Sequence, residues 1–141
     1  MDLEKQICGI ELAKKLRELG VKQESIFWHW ATDVEEDGLT WWTVSEKEPR
    51  RGKKVRELST PRHYRGKVSA FTIAELGEML PGAFQSGKRP YEGASPKEHL
   101  YECWPYEPVH GKNIPTQTAL TEADARAKML IYLIENKLVM V

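Results

Sequence analysis

Ile26-Phe27-Trp28-His29-Trp30 and Thr40-Trp41-Trp42-Thr43-Val44 are two β-branched and aromatic runs, separated by a polar stretch that contains Asp37-Gly38. Such runs favour extended backbone, and Asp-Gly between them is a turn signal, so together they predict an antiparallel hairpin. Alternation along a strand sets Ile26, Trp28 and Trp30 on one face and Phe27 and His29 on the other. Four of the five tryptophans fall in this hairpin. They serve either as core and cross-strand pairs or as a binding surface, for which Trp28, Trp30, Trp41 and Trp42 are the candidates.

Helical patterns lie on both sides of the hairpin. Leu12, Ala13, Leu16 and Leu19 repeat at helical spacing between Gly9 and Gly20, which predicts a helix over roughly 10–19. Thr72-Ile73-Ala74-Glu75 matches a capping box, in which hydroxyl and carboxylate each satisfy a free backbone amide, and Pro81-Gly82 closes that helix. Thr121 opens the last one. Ala123, Ala127, Leu130, Ile131 and Ile134 line its buried face, with Arg126, Lys128 and Glu135 expected in water. His99 to Trp104 alternates as a strand that Pro105 and Pro108 end or put at an edge, and a short strand is expected near 117–120. The order predicts one α+β domain over 1–141: an antiparallel sheet that includes the aromatic hairpin, with about three helices packed on it. Residues 82–97, rich in Gly, Ser and Pro, read as a flexible connection.

Residues 49–67 differ from the rest. Arg50, Arg51, Lys53, Lys54, Arg56, Arg62, Arg65 and Lys67 face one acid, Glu57, and the only aliphatic side chains are Val55 and Leu58. This predicts an exposed basic loop or an extended hairpin, whose cations are candidate phosphate contacts for a nucleic acid. The opposing reading is a solvated loop offset by the acidic residues between Asp33 and Glu48. Over the whole chain, 21 basic side chains balance 21 acidic ones, so no general attraction to nucleic acid or an anionic membrane follows.

With 40% hydrophobic and 30% charged residues, the composition is that of a globular protein. No apolar run approaches the roughly 20 residues that cross a bilayer. The first residues lack a secretory signal, and two cysteines are too few for a disulfide framework. A cytoplasmic setting with two reduced thiols is the expectation. There is no Cys-x-x-Cys, no His-Glu-x-x-His and no glycine-rich phosphate loop, so neither a metal nor a cofactor is expected. Cys8, just before the first helix, is the one candidate for an activated thiol, set against a small buried apolar one.

Residues 7–25, 69–81 and 123–136 together resemble a group of small uncharacterised proteins found in bacterial phage and prophage genomes. The likeness covers about a third of the chain and coincides with its helices. The chain departs from it in the basic insert and at Lys137, where a glycine would end the helix more comfortably. The resemblance implies a phage or prophage setting in a bacterial host cell and carries no catalytic residues. The expected function is that of a non-enzymatic accessory protein that binds another protein. A nucleic-acid-associated protein using 50–67 is the alternative, and a small enzyme is the third reading.

Overall fold

In the computed structural model, which describes residues 2–34, 40–46, 54–55, 62–82, 84–90 and 99–141, the two aromatic runs pair as β1 (Trp28–Val34) and β2 (Thr40–Ser45). They are antiparallel, with His29 opposite Val44 and Trp30 opposite Thr43. On the other side of β1 lies β4 (Arg62–Ser69), which also pairs with the two-residue β3 (Lys54–Val55), giving the order β2-β1-β4-β3. A separate sheet has the order β5-β6-β7, from Phe84–Pro90, His99–Pro105 and Gln117–Ala119. Four helices complete an α+β fold: α1 (Leu3–Gln6), α2 (Ile10–Glu18), α3 (Ile73–Met79) and α4 (Glu122–Glu135). The helix beyond the expected three is the single turn α1.

The hub is α4. Ala123, Ala127 and Leu130 on one side and Ala125, Met129 and Leu133 on another are all buried. It packs against β5, β6 and β7 as well as α1, α2 and α3. A helix apolar on so many sides belongs in the middle of a domain, and alanines in its first turns let neighbours approach closely. Lys128 and Glu135, one heptad apart, are its exposed residues.

Capping ties these elements together. Thr72 Oγ1 accepts the Glu75 N–H at 3.1 Å while Glu75 Oε1 accepts the Thr72 N–H at 2.9 Å. The same carboxylate also accepts the Ser25 hydroxyl at 2.8 Å and the Ile26 N–H at 3.3 Å, so one cap also anchors the entry to β1. At α4, Thr121 Oγ1 accepts the Asp124 N–H at 3.1 Å, and Asp124 Oδ1 takes the N–H of Gly9 at 2.7 Å. Asp124, three residues after the cap, thus gives its carboxylate to the start of α2 instead of reaching back to Thr121. Both α2 and α4 end in left-handed residues with paired closing bonds: Val21 N–H to Leu16 O after Gly20, and Leu138 N–H to Leu133 O after Lys137, whose φ is 57°.

Two expectations are corrected here. Residues 84–90 of the supposed connection are strand β5; Ser86 and Gly87 have weak strand preference, but tertiary contacts place them. The other residues of 82–97 that were read as flexible, 83 and 91–97, lie outside the described residues. Arg126 does not face water. Its guanidinium runs inward to bond Ser86 Oγ at 2.7 Å and Ile73 O at 2.8 Å.

Candidate functional site

The buried nucleophiles come first, because chemistry would start from them. Cys8 and Cys103 are both enclosed and free. Burial pushes the Cys8 thiol up to about 12 and the Cys103 thiol up to about 11. His29 approaches Cys8, but its Nε2 lies 2.8 Å from the Cys8 carbonyl oxygen. A carbonyl only accepts, so Nε2 carries the hydrogen and the ring spends that nitrogen holding backbone. Desolvation lowers the His29 pKa. The imidazole thus contacts the Cys8 backbone, and the thiol stays protonated, the opposite of an activated Cys–His pair.

A second polar cluster joins β5 to α4 and α3. The Ser86 hydroxyl donates to Glu122 Oε1 and accepts from Arg126 Nε, while Arg126 Nη2 lies 3.6 Å from Glu122 Oε1. Cys103 stands opposite Ser86 across the strands. Gly77 in α3 leaves the space in which Arg126 Nη1 sits. With Arg126 Nη1 also bonding Ile73 O, the cluster fastens three elements. Next to it is a cleft of about 220 Å³ lined by Lys5, Ile73, Tyr101, Leu120, Thr121 and Glu122. Glu122 and Thr121 already have internal partners.

The surface with unspent aromatic groups is elsewhere. Trp104, Pro105, Tyr106, Glu107, Pro108 and Ile114 line a groove of about 300 Å³ at the end of β6. Trp104 is seated across β5: a Cβ on Gly87 would lie 3.6 Å from its Cη2, so the glycine gives the indole a flat bed. Tyr106 is 60% exposed. The far wall is Asn113, Ile114 and Thr116, which follow a tight turn in which Val109 and Lys112 exchange both backbone bonds, at 3.0 and 2.9 Å. His110 and Gly111 have φ of 49° and 74°, the pattern of a two-residue type I′ hairpin. Two prolines and a closed turn leave the groove little conformational freedom to lose when it is filled. In the sequence, Pro105 and Pro108 mark a strand end or an edge; the His-Gly pair after them is the signal for the turn that precedes the far wall.

The residues singled out from the sequence distribute as follows. Trp28 and Trp30 are 5% and 8% exposed, so the core alternative holds for them. Trp42 is half-buried under Lys14, whose Nζ is 4.7 Å from the ring, and Lys67 Nζ lies 5.1 Å from the Trp28 ring. Trp41 has a backbone place in β2, with its side chain outside the description. Of the basic residues, Lys54 is on β3 and Arg62, Arg65 and Lys67 are on β4, with Lys54 opposite His63. Arg50, Arg51, Lys53 and Arg56 lie outside the described residues. No helix among the described residues is long and apolar enough to cross a membrane. In comparisons with family models, curated proteins and solved structures, the chain matches none.

Proposed function

We propose that this chain is a non-enzymatic accessory protein that binds another protein, and that the groove of Trp104 and Tyr106 is where it does so. The observation that carries the reading is a groove in which a half-buried Trp104, seated on Gly87, lies beside the exposed Tyr106 and Pro108. Aromatic grooves of this make-up suit an extended, proline-containing segment, which is already stiff and loses little entropy on docking. Glu107 on the rim favours a basic residue flanking that segment. The phage or prophage setting, with action in the host cytoplasm, rests on the likeness of the three helical segments.

The test is selection from a peptide display library with the wild-type chain and Trp104→Ala as parallel baits. A proline-containing, basic-flanked consensus enriched on the wild type alone supports the reading, given an unchanged circular dichroism spectrum for the variant. Equal enrichment on both baits, or none, overturns it.

A second reading, nucleic-acid association, is favoured by the gathering of Lys54, Arg62, Arg65 and Lys67 onto two neighbouring strands. Binding to duplex or single-stranded nucleic acid that falls steeply with salt, and is lost when these four become Gln, is its expected signature. Binding that survives those substitutions excludes it.

A further inference from the structure

Sheet edges are templates for association, and folded proteins blunt them. Among the described residues, each edge but one is blunted in a visible way. β3 is two residues long. Beyond it, the free side of β4 is covered by side chains: Arg17 Nη1 bonds Lys67 O at 2.9 Å and Gln23 Oε1 accepts the Ser69 N–H at 2.8 Å. β5 ends in Lys88-Arg89-Pro90. β7 is three residues long, and Lys128 Nζ takes its Thr118 carbonyl at 2.9 Å. The exception is β2. Thr40-Trp41-Trp42-Thr43-Val44-Ser45 has no charge and no proline, and no strand among the described residues lies on its outer side.

The ladder shows which groups β2 presents. Lys67 and Ser69 give their backbone groups to Arg17 and Gln23, away from β1. Alternation then turns Val68 toward β1, His29 and Ala31 toward β4, and Trp28 and Trp30 toward β2. Thr43 and Ser45 stand opposite Trp30 and Trp28 and therefore point inward. The N–H and C=O of Trp42 and Val44 point outward.

We infer that β2 pairs with β2 of a second copy of this chain, antiparallel, about a two-fold axis that passes between the two Thr43 residues. A two-fold perpendicular to a sheet leaves each residue on its own face, so one residue must stand opposite itself. With Thr43 at the axis, Trp42 of each copy faces Val44 of the other, and the outward groups of both strands form four backbone hydrogen bonds. Trp42 against Val44 is an aromatic–β-branched pair, a favourable cross-strand neighbour, so the strand is complementary to itself in this register. The two four-stranded sheets join into one of eight strands.

Two variants test this. Thr43 sits at a non-hydrogen-bonded position with Cα atoms about 4.5 Å apart, within disulfide range, so Thr43→Cys cross-links to itself under mild oxidation. The native thiols, enclosed and held up to about 12 and about 11, do not compete. Val44→Pro removes an outward N–H on the side where no strand lies among the described residues, which an edge strand tolerates. In light scattering at tens of micromolar, the wild type is expected at twice the 16.2 kDa chain mass, and Val44→Pro at the chain mass with an unchanged circular dichroism spectrum. A wild type at the chain mass, a folded Val44→Pro that stays paired, or a Thr43→Cys that stays uncross-linked overturns the proposal. If Val44→Pro fails to fold, the cross-linking result decides alone.

Discussion

Gly77→Ala sets two effects of known size against each other. Alanine in a helix interior is favoured over glycine by about 1 kcal/mol, so on α3 alone the substitution stabilises. The new Cβ, however, would overlap Arg126 Nη1. The guanidinium is not free to swing aside, because Nη1 holds Ile73 O at 2.8 Å and Nε holds Ser86 Oγ at 2.7 Å. Hydrogen bonds from a charged donor are worth about 1.5–3 kcal/mol each, and the side chain is half-buried, so the lower end applies. Losing both outweighs the helix gain, for a net destabilisation of about 2 kcal/mol. Urea unfolding followed by circular dichroism measures it as a lowered midpoint with unchanged slope. In an Arg126→Ala background the overlap is gone, and Gly77→Ala should stabilise by about 1 kcal/mol. Stabilisation in both backgrounds would refute the reasoning: the guanidinium would then be moving aside at no cost.

Three further outcomes are expected. His29 is buried with its pKa lowered from 6.5, so below that pH the unfolded chain binds the proton that the folded chain refuses. Stability is therefore full above about pH 6.5 and falls below it by at most about 1.4 kcal/mol per pH unit. Nearby Asp124 opposes the effect, and His29→Gln removes this part of the pH profile in denaturant titrations. Lys137 has a left-handed backbone with φ of 57°, a conformation that costs an L-residue about 1–2 kcal/mol. Lys137→Gly should raise the melting temperature by a few degrees in calorimetry, and a lowered one contradicts the strain. With the Cys8 thiol at about 12 against an ordinary 9.0, its thiolate fraction at pH 8 falls about a thousandfold. Ellman's reagent should therefore report two thiols only after unfolding, and rapid native labelling contradicts their enclosure.

The legible parts of the fold were those set by local chemistry. Gly20, the Thr72–Glu75 box and Thr121 mark their helices because caps act within one turn, and the aromatic runs of β1 and β2 carry their own strand preference. What escaped reading depends on partners far along the chain. Nothing local makes Ser86-Gly87 a strand; the Trp104 indole and the Glu122–Arg126 pair do. Arg126 looks like a solvent residue until Gly77, 49 positions earlier in the sequence, is seen to clear space for it. The groove was half legible. Its prolines were visible, but Tyr106 and Trp104 became a surface only once the Val109–Lys112 turn was folded beside them. The basic run of 50–67 was plain as composition, yet composition does not say which cations share a strand.

The place of α4 in the chain order has a consequence for biosynthesis. The helix on which three others and a whole sheet pack is the last of those elements to leave the ribosome. Until Glu122–Glu135 emerges, α2, α3 and β6 have no common surface to settle on, and their apolar sides stay open to chaperones and to other nascent chains. Contacts of such long sequence separation close slowly. A nascent chain stalled before Thr121 should therefore leave Cys8 and Cys103 open to alkylation, and release of the next fifteen residues should shut both away together.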